Sequence, residues 1–176
     1  MKKDAEVLEL CCGDGYNSCH FYASRAKKII SVDFDKGAIP HAKRYNQMPN
    51  IDFRLVDIRY AMPEGQFDNI VWDAAIEHFT VQEIDDILKN IKARLKPDGV
   101  VTGYTMVERE DGVKQLSHHE YEFKSKEDLR SFFEPHFKNV KVFETMYPLR
   151  HNLYFFASNG VIPFDDNWQH QTTFRG

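Results

Sequence analysis

The chain has 176 residues, of which 42% are hydrophobic and 14% aromatic, and its formal net charge is −4. This length and composition predict one folded domain with a substantial core, and they exclude a disordered or low-complexity chain. The acidic balance argues against a protein that binds the nucleic-acid backbone, and no apolar run is long enough to cross a membrane.

The first hundred residues alternate between short apolar segments and helical patterns, which is typical of a parallel sheet covered by helices on both faces. The predicted strands are, in chain order, 6–10, 29–32, 51–55, 69–72 and 100–104. The predicted helices between them run from about 18 to 28, from 33–35 to 45, and from 80 to 95.

The last of these helices has the clearest signal. Thr80 and Glu83 stand at the spacing of a capping box, in which each side chain bonds the backbone of the other. Residues 97–99, Pro-Asp-Gly, predict the end of the helical pattern. Apolar residues recur at helical spacing at Val81, Ile84, Leu88, Ile91 and Leu95.

The last third of the chain has a different order. Ser125 is a candidate cap for a helix that reaches Phe133, and strands are predicted at 140–145 and 153–158. Only a short connection joins these two strands, so they should pair antiparallel.

No linker, repeat or charge block divides the chain, and we predict one domain over residues 1–159. Residues 160–176 read as a loosely structured tail, whose aromatic side chains are candidates for docking onto the domain: Phe164, Trp168 and Phe174.

The cysteines and the N-terminus point to a reducing, cytoplasmic setting. Cys11, Cys12 and Cys19 are an odd number and include an adjacent pair, which does not suit a disulfide framework. Residues 1–4 lack the apolar stretch of a signal peptide.

The turn after the first predicted strand, residues 9–15, carries the strongest functional signal. Open parallel sheets bind ligands at the carboxyl ends of their strands, and Gly13 and Gly15 let the backbone approach a ligand closely. Taken alone, these glycines followed by Ser18 fit a degenerate dinucleotide fingerprint, or a turn that simply requires glycine.

The same turn resembles motif I of class I S-adenosylmethionine-dependent methyltransferases, in which an acidic residue precedes three alternating glycines. Glu9 matches the acidic residue, and Gly13 and Gly15 match the second and third glycines. Cys11 stands where the first glycine usually is, so the backbone there must tolerate a β-carbon.

Further segments resemble the later motifs of that family in the right order, and the match covers residues 6 to about 105. They are 31–35, 56–58, 67–78 and the Leu-Lys-Pro-Asp-Gly turn at 95–99. The resemblance implies that Asp33 binds the ribose hydroxyls and Asp57 the adenine amino group. Asp33 has the alternative role of a helix cap, which Asp35 can fill instead. The implied contacts to the cofactor are Glu9, Cys11, Gly13, Gly15, Asp33, Phe34, Asp57, Ile58, Asp73 and Ala74.

This family resemblance implies an α/β fold, a three-layer Rossmann-like sandwich whose mostly parallel seven-stranded sheet ends in the antiparallel hairpin. It also implies an S-adenosylmethionine-dependent methyltransferase, in which the methyl group moves by direct displacement and alignment supplies much of the rate. S-adenosylhomocysteine would be the product.

The residues after the fourth predicted strand narrow the acceptor. Residues 73–76, Asp-Ala-Ala-Ile, lack the two prolines typical of enzymes that methylate the exocyclic amines of DNA bases or glutamine side chains. Cytosine-C5 enzymes need a nucleophilic cysteine after this strand, whereas every cysteine of this chain lies near the first strand. The Asp-Asn pair of the magnesium-dependent enzymes is not found after Thr105. We expect a small-molecule or glycan-like acceptor, methylated at a hydroxyl, with an amine left open and no nucleic-acid partner.

Histidines are the candidate bases for a hydroxyl acceptor. His78 follows the fourth strand, where it can also simply orient the next helix. His118 and His119 lie in a loop that is either solvated or placed over the cleft, and His151 lies further on. At most one of the adjacent pair should act as the base.

Two other side chains are candidates for binding the substrate, and no metal is expected. Tyr121 lies in the same loop as the paired histidines, and Arg150 can hold a carboxylate or phosphate, or else pair with Glu144 at the surface. His118 and Glu120 do not form a closed zinc set.

One feature of the family has no match in this sequence. The family usually has helices before the first strand, and these close over the cofactor. A homodimer or a partner supplying this cap is therefore expected as one possibility, as is a non-catalytic S-adenosylmethionine-binding subunit. A nucleotide-dependent dehydrogenase is the third alternative, although it leaves the later motifs unexplained.

Overall fold

A computed structural model describes residues 1–109, 111, 114, 116–147 and 150–162. The predicted docking residues Phe164, Trp168 and Phe174 lie outside this part of the chain, and so does most of the predicted tail.

The described residues form one seven-stranded sheet with the order β3-β2-β1-β4-β5-β7-β6. Neighbouring strands are parallel from β3 to β5, whereas β7 is antiparallel to both β5 and β6. This confirms the predicted parallel sheet with its C-terminal hairpin. The strands are β1 Ala5–Leu10, β2 Ala26–Asp33, β3 Ile51–Leu55, β4 Phe67–Asp73, β5 Leu95–Met106, β6 Asn139–Tyr147 and β7 Arg150–Ser158.

Three α-helices lie in the described part of the chain: α1 Ala38–Tyr45, α2 Val81–Arg94 and α3 Lys126–Phe133. Helix α2 begins with the predicted capping box, since Thr80 accepts a bond from the Glu83 amide and the Glu83 carboxylate accepts one from the Thr80 amide. Helix α3 begins as predicted, with the Ser125 hydroxyl accepting from the Asp128 amide.

The predicted helix over about 18–28 is wrong in extent. Only Ser18–Tyr22 is helical, as a single π-type turn, and β2 already begins at Ala26. The reason is pairing across the sheet: Ala26 pairs with Ala5 and Lys28 with Glu6, so β1 draws these residues into the parallel ladder. Tertiary pairing overrides the local helical pattern here.

The two faces of the sheet carry separate hydrophobic cores. Successive side chains of a strand point to opposite faces. Leu8 and Leu10 of β1 therefore pack with α2 and α3, whereas Val7 packs with α1 and the π-type turn. Because β1 is buried on both faces, four of its six residues are apolar, as expected for a central parallel strand, and Glu6 and Glu9 are the exceptions.

The face of the sheet that carries Val7 and α1 is open over β4, β5 and β7. A groove of about 690 Å³ lies there, lined mainly by side chains of these three strands. None of the described helices is both long and apolar enough to span a membrane.

Candidate active site

The turn at the carboxyl end of β1 is held against β2 by backbone amides. The Cys12 amide donates to the Val32 carbonyl at 3.0 Å, and the Gly13 amide donates to the Asp33 carboxylate at 2.8 Å. The other Asp33 oxygen accepts from the Asp35 amide at 2.9 Å. Asp33 therefore fixes the glycine turn, a role that the sequence did not reveal.

Gly13 and Gly15 are required for different reasons. Both have left-handed backbone, with φ of +54° and +76°. A Cβ at Gly15 would lie 2.5 Å from the ring of Phe53, so this glycine permits the turn to pack on the sheet. A Cβ at Gly13 would meet no described atom within 4 Å, so this position borders open space.

Two residues with side chains also adopt left-handed backbone at neighbouring strand ends. Cys11 follows β1 with φ of +56°, and Ala74 follows β4 with φ of +48°. Cys11 stands at the position of the first motif glycine, and its backbone does tolerate a β-carbon as the resemblance required. Both residues line the cleft described next.

A cleft of about 370 Å³ opens at the carboxyl ends of β1, β2 and β4. It brings together most of the residues predicted to form the site: Cys11, Asp33, Phe34, Asp57, Ile58, Ala74, His78 and His118. It is also lined by residues that were not predicted to contact a ligand: Val56, Arg59, Ala75 and Phe79.

Glu9 lies beneath the turn rather than in the cleft. Its buried carboxylate accepts bonds from the hydroxyls of Ser18 and Ser31, the latter at 2.7 Å. Burial raises the pKa of Glu9 to about 7. The structure thus places this predicted cofactor contact in a polar network that joins β1, β2 and the π-type turn.

Asp57 and Arg59 form one wall of the cleft. The Arg59 guanidinium donates two bonds to the Asp57 carboxylate from Nε, at 3.0 and 3.2 Å, and one from Nη2 at 2.7 Å. This pairing lowers the pKa of Asp57. Arg59 also lies 5.8 Å from the centroid of the exposed Phe34 ring. An arginine two residues after an acidic residue was the available signal for this pair.

Three of the four candidate histidines meet at the other end of the cleft. The rings of His78 and His118 are stacked with centroids 4.8 Å apart, and the His119 ring stands edge-on to His78 at 5.0 Å. His118 is exposed, whereas His119 is buried. Of the adjacent pair, His118 is therefore the one that borders the cleft. Burial lowers the pKa of His78 and favours its neutral form.

Asp73 and Arg150 line the open groove on the other face instead of the cleft. The Tyr22 hydroxyl donates to the Asp73 carboxylate, and burial raises the pKa of Asp73. Glu144, considered above as a surface partner of Arg150, is paired with Lys126 at 3.1 Å and with His151 at 3.0 Å. His151 therefore lies away from the cleft.

Tyr121 is placed outside both cavities. Its hydroxyl donates to Asp128 at 2.9 Å, and its ring packs against Phe123 and Phe132. The prediction that Tyr121 contacts the substrate is therefore not matched by its position, because the ring belongs to the packing beneath α3.

Sequence comparison finds relatives among methyltransferases. A family model described as "Methyltransferase domain" matches residues 7–99. A probable cobalt-precorrin-6B C(15)-methyltransferase (decarboxylating) of Methanobrevibacter smithii is 31% identical over 122 residues, which cover 64% of this chain and 63% of that protein. A malonyl-[acyl-carrier protein] O-methyltransferase of Bacillus anthracis is 25% identical over 156 residues, covering 80% of this chain and 57% of that protein. The chain thus spans about three fifths of the length of these curated relatives.

Solved structures share the fold at low sequence identity. The N-methyltransferase NodS from Bradyrhizobium japonicum WM9 superposes with a TM-score of 0.73 at 16% identity, covering 91% of this chain and 88% of that one. A structure described as a DhpI-SAH complex superposes with a TM-score of 0.72 at 22% identity, covering 88% and 76%. These similarities support the Rossmann-like sandwich predicted from the sequence.

Proposed function

This chain belongs to the methyltransferase-domain family, whose model matches more than half of it, and on that premise we propose that it transfers the methyl group of S-adenosylmethionine to a hydroxyl of a small-molecule or glycan-like acceptor. The observation that carries the proposal is the cleft, which joins a carboxylate, an exposed aromatic ring and two histidines at the carboxyl ends of three parallel strands. Ligands of open α/β sheets bind at such strand ends.

The cleft has groups that suit the ribose and the adenine of the cofactor. Asp33 would accept bonds from the ribose hydroxyls with the lone pairs left after its two backbone bonds. The exposed ring of Phe34 and the neighbouring Asp57 would contact the adenine. Gly13 lets the backbone approach the ligand, since no described atom occupies the space beside it.

The histidines support a hydroxyl acceptor. A hydroxyl is a poor nucleophile until its proton is removed, and a neutral imidazole suits that task near pH 7. His118 is exposed at the edge of the cleft and stacked on His78, so it can accept a proton from an acceptor that enters there. Methyl transfer itself would rely on alignment of the two reactants.

The proposal is tested with the purified chain, S-adenosylmethionine carrying an isotopically labelled methyl group, and a panel of hydroxyl and amine acceptors read by mass spectrometry. We expect label in a hydroxyl acceptor and none when the cofactor is omitted. Label in amines alone would contradict a hydroxyl acceptor. Binding of S-adenosylhomocysteine with no transfer to any acceptor would favour the non-catalytic subunit, and binding of NAD instead would favour the dehydrogenase.

Gly13→Val should weaken S-adenosylhomocysteine binding by at least about tenfold, or about 1.4 kcal/mol. The reason is that it places a branched side chain in the open space beside the turn, which the ligand would occupy. Calorimetric titration measures this. Gly65→Val is the matched control, since Gly65 also has positive φ, +135°, but precedes β4 at the opposite end of the sheet. Equal affinity of Gly13→Val and the wild type would contradict the assignment of this turn.

A further inference from the structure

Three potential metal ligands converge behind the cleft. One ligand atom from each of Glu77, His78 and His119 lies within 4.8 Å of the other two. Metal–ligand distances for nitrogen and oxygen are about 2.0–2.2 Å, so two ligands of one ion lie at most about twice that apart. A small rotation of one side chain would close this set around an ion.

His119 provides an independent sign of a missing partner. The residue is only 2% exposed, and its Nε2 atom has no hydrogen-bond partner among the described residues. Buried polar atoms are nearly always paired, so this imidazole nitrogen, which lies beside two other potential ligands, is a candidate to bind an ion. The Glu77 carboxylate, 3% exposed, is near enough to join it in one site but does not form a hydrogen bond with it.

The surroundings orient the histidine ring for metal binding. His119 Nδ1 lies 2.6 Å from the Glu122 carboxylate, so in a neutral imidazole whose Nδ1 proton is donated to Glu122, Nε2 is the nitrogen available to an ion. Metal-binding histidines typically have such a carboxylate partner behind them. Thr105 similarly orients Glu77, donating from its hydroxyl to Oε2 at 3.0 Å.

The backbone ties the two contributing segments together. The amides of Glu120 and Tyr121 both donate to the Glu77 carbonyl, at 2.9 and 3.1 Å. The loop that carries His119 is therefore clamped to the short 3-10 turn after β4, Ile76–His78, which carries Glu77 and His78. The ligands come from segments already fixed to each other, and binding an ion would require little ordering of the chain.

We propose that Glu77, His78 and His119 form a binding site for a divalent first-row transition-metal ion. Two imidazoles and one carboxylate suit such an ion, whereas magnesium and calcium prefer all-oxygen sites. The sequence predicts no metal, and the pair considered there is His118 with Glu120; the proposed set instead uses the adjacent histidine and the Glu-His pair after β4. One consequence rests on the proposed function. His78 lines the cleft, so an ion bound there would be placed to bind the acceptor hydroxyl and ease the loss of its proton.

The test uses the full chain, without an affinity tag and stripped of metal, titrated calorimetrically with Zn²⁺ and followed with Co²⁺ by visible absorption. We expect one ion per chain, with His119→Ala and Glu77→Gln each weakening Zn²⁺ binding at least tenfold, about 1.4 kcal/mol. Glu122→Gln, which removes only the carboxylate behind His119, should weaken binding about 10- to 100-fold, and it tests the site even if a ligand variant fails to fold.

His151→Ala is the matched control, because His151 also faces a glutamate, at 3.0 Å, but lies on β7 away from the cluster. Its Zn²⁺ affinity should equal that of the wild type. Absence of stoichiometric binding by the wild type, or equal losses in His151→Ala and His119→Ala, would overturn the site. The titration contains neither cofactor nor acceptor, so it tests the metal site separately from methyl transfer. A chain that binds Zn²⁺ but transfers no methyl group would contradict only the proposed function.

Discussion

Asp33→Ala is expected to weaken S-adenosylhomocysteine binding by about 1.5–3 kcal/mol, the range for losing hydrogen bonds to a charged group. In affinity this is a loss of about 10- to 150-fold. Asp33 would bond the ribose and also holds the Gly13 amide at 2.8 Å, so its removal affects both the ligand and the turn that receives it. Calorimetric titration of S-adenosylhomocysteine gives the measurement.

Asp35→Ala serves as the control for this change. Asp35 lies two residues further on and accepts from the Gly37 amide at 2.6 Å, near the start of α1. It is exposed and does not line the cleft. Its replacement should leave the affinity near that of the wild type, and a folded Asp33→Ala protein with unchanged affinity would remove Asp33 from the site.

His118→Ala should lower turnover on a hydroxyl acceptor by at least about 100-fold, since loss of a general base typically costs 10²- to 10⁴-fold. Affinity for the cofactor should remain close to normal, because the change leaves Asp33, Gly13 and Phe34 in place. Steady-state kinetics with the identified acceptor, together with titration of S-adenosylhomocysteine, separates the two effects.

The comparison with other histidines makes this test decisive. His151→Ala should keep its turnover, because His151 is paired with Glu144 on the C-terminal hairpin. Near-normal turnover in His118→Ala with a large loss in His78→Ala would instead assign the assistance to His78, as the base or as a ligand of the proposed ion, and Zn²⁺ titration of His78→Ala separates these two roles. Full activity in both variants would indicate that alignment alone carries the reaction, as amine methylation allows.

The fold could be predicted largely because its signals are local. The capping box at Thr80, the helix cap at Ser125 and the short connection between the last strands each act within a few residues. The helix predicted for 18–28 failed because its C-terminal part is recruited by β1, a partner some twenty residues earlier in the chain. Such pairing has no signal within the segment itself.

The lining of the cleft could be predicted to the extent that strand ends determine it. Asp33 ends β2, and Asp57 and Ala74 follow β3 and β4, so their common location follows from the topology of parallel strands. Which of His118 and His119 borders the cleft depends on how the loop is clamped to Glu77 through backbone amides. Which of the two histidines borders the cleft therefore depends on three-dimensional packing, and the order of residues in the loop does not reveal it.

The left-handed backbone at Cys11 and Ala74 has a consequence for engineering the protein. Each such residue costs roughly 1–2 kcal/mol relative to ordinary backbone, against a total stability of about 5–15 kcal/mol for a typical domain. Part of the stability of the sheet is therefore offset at the residues that face the cleft. A glycine at position 11 would relax the backbone, and it would also remove the Cys11 thiol from the wall of the cleft and so change its lining.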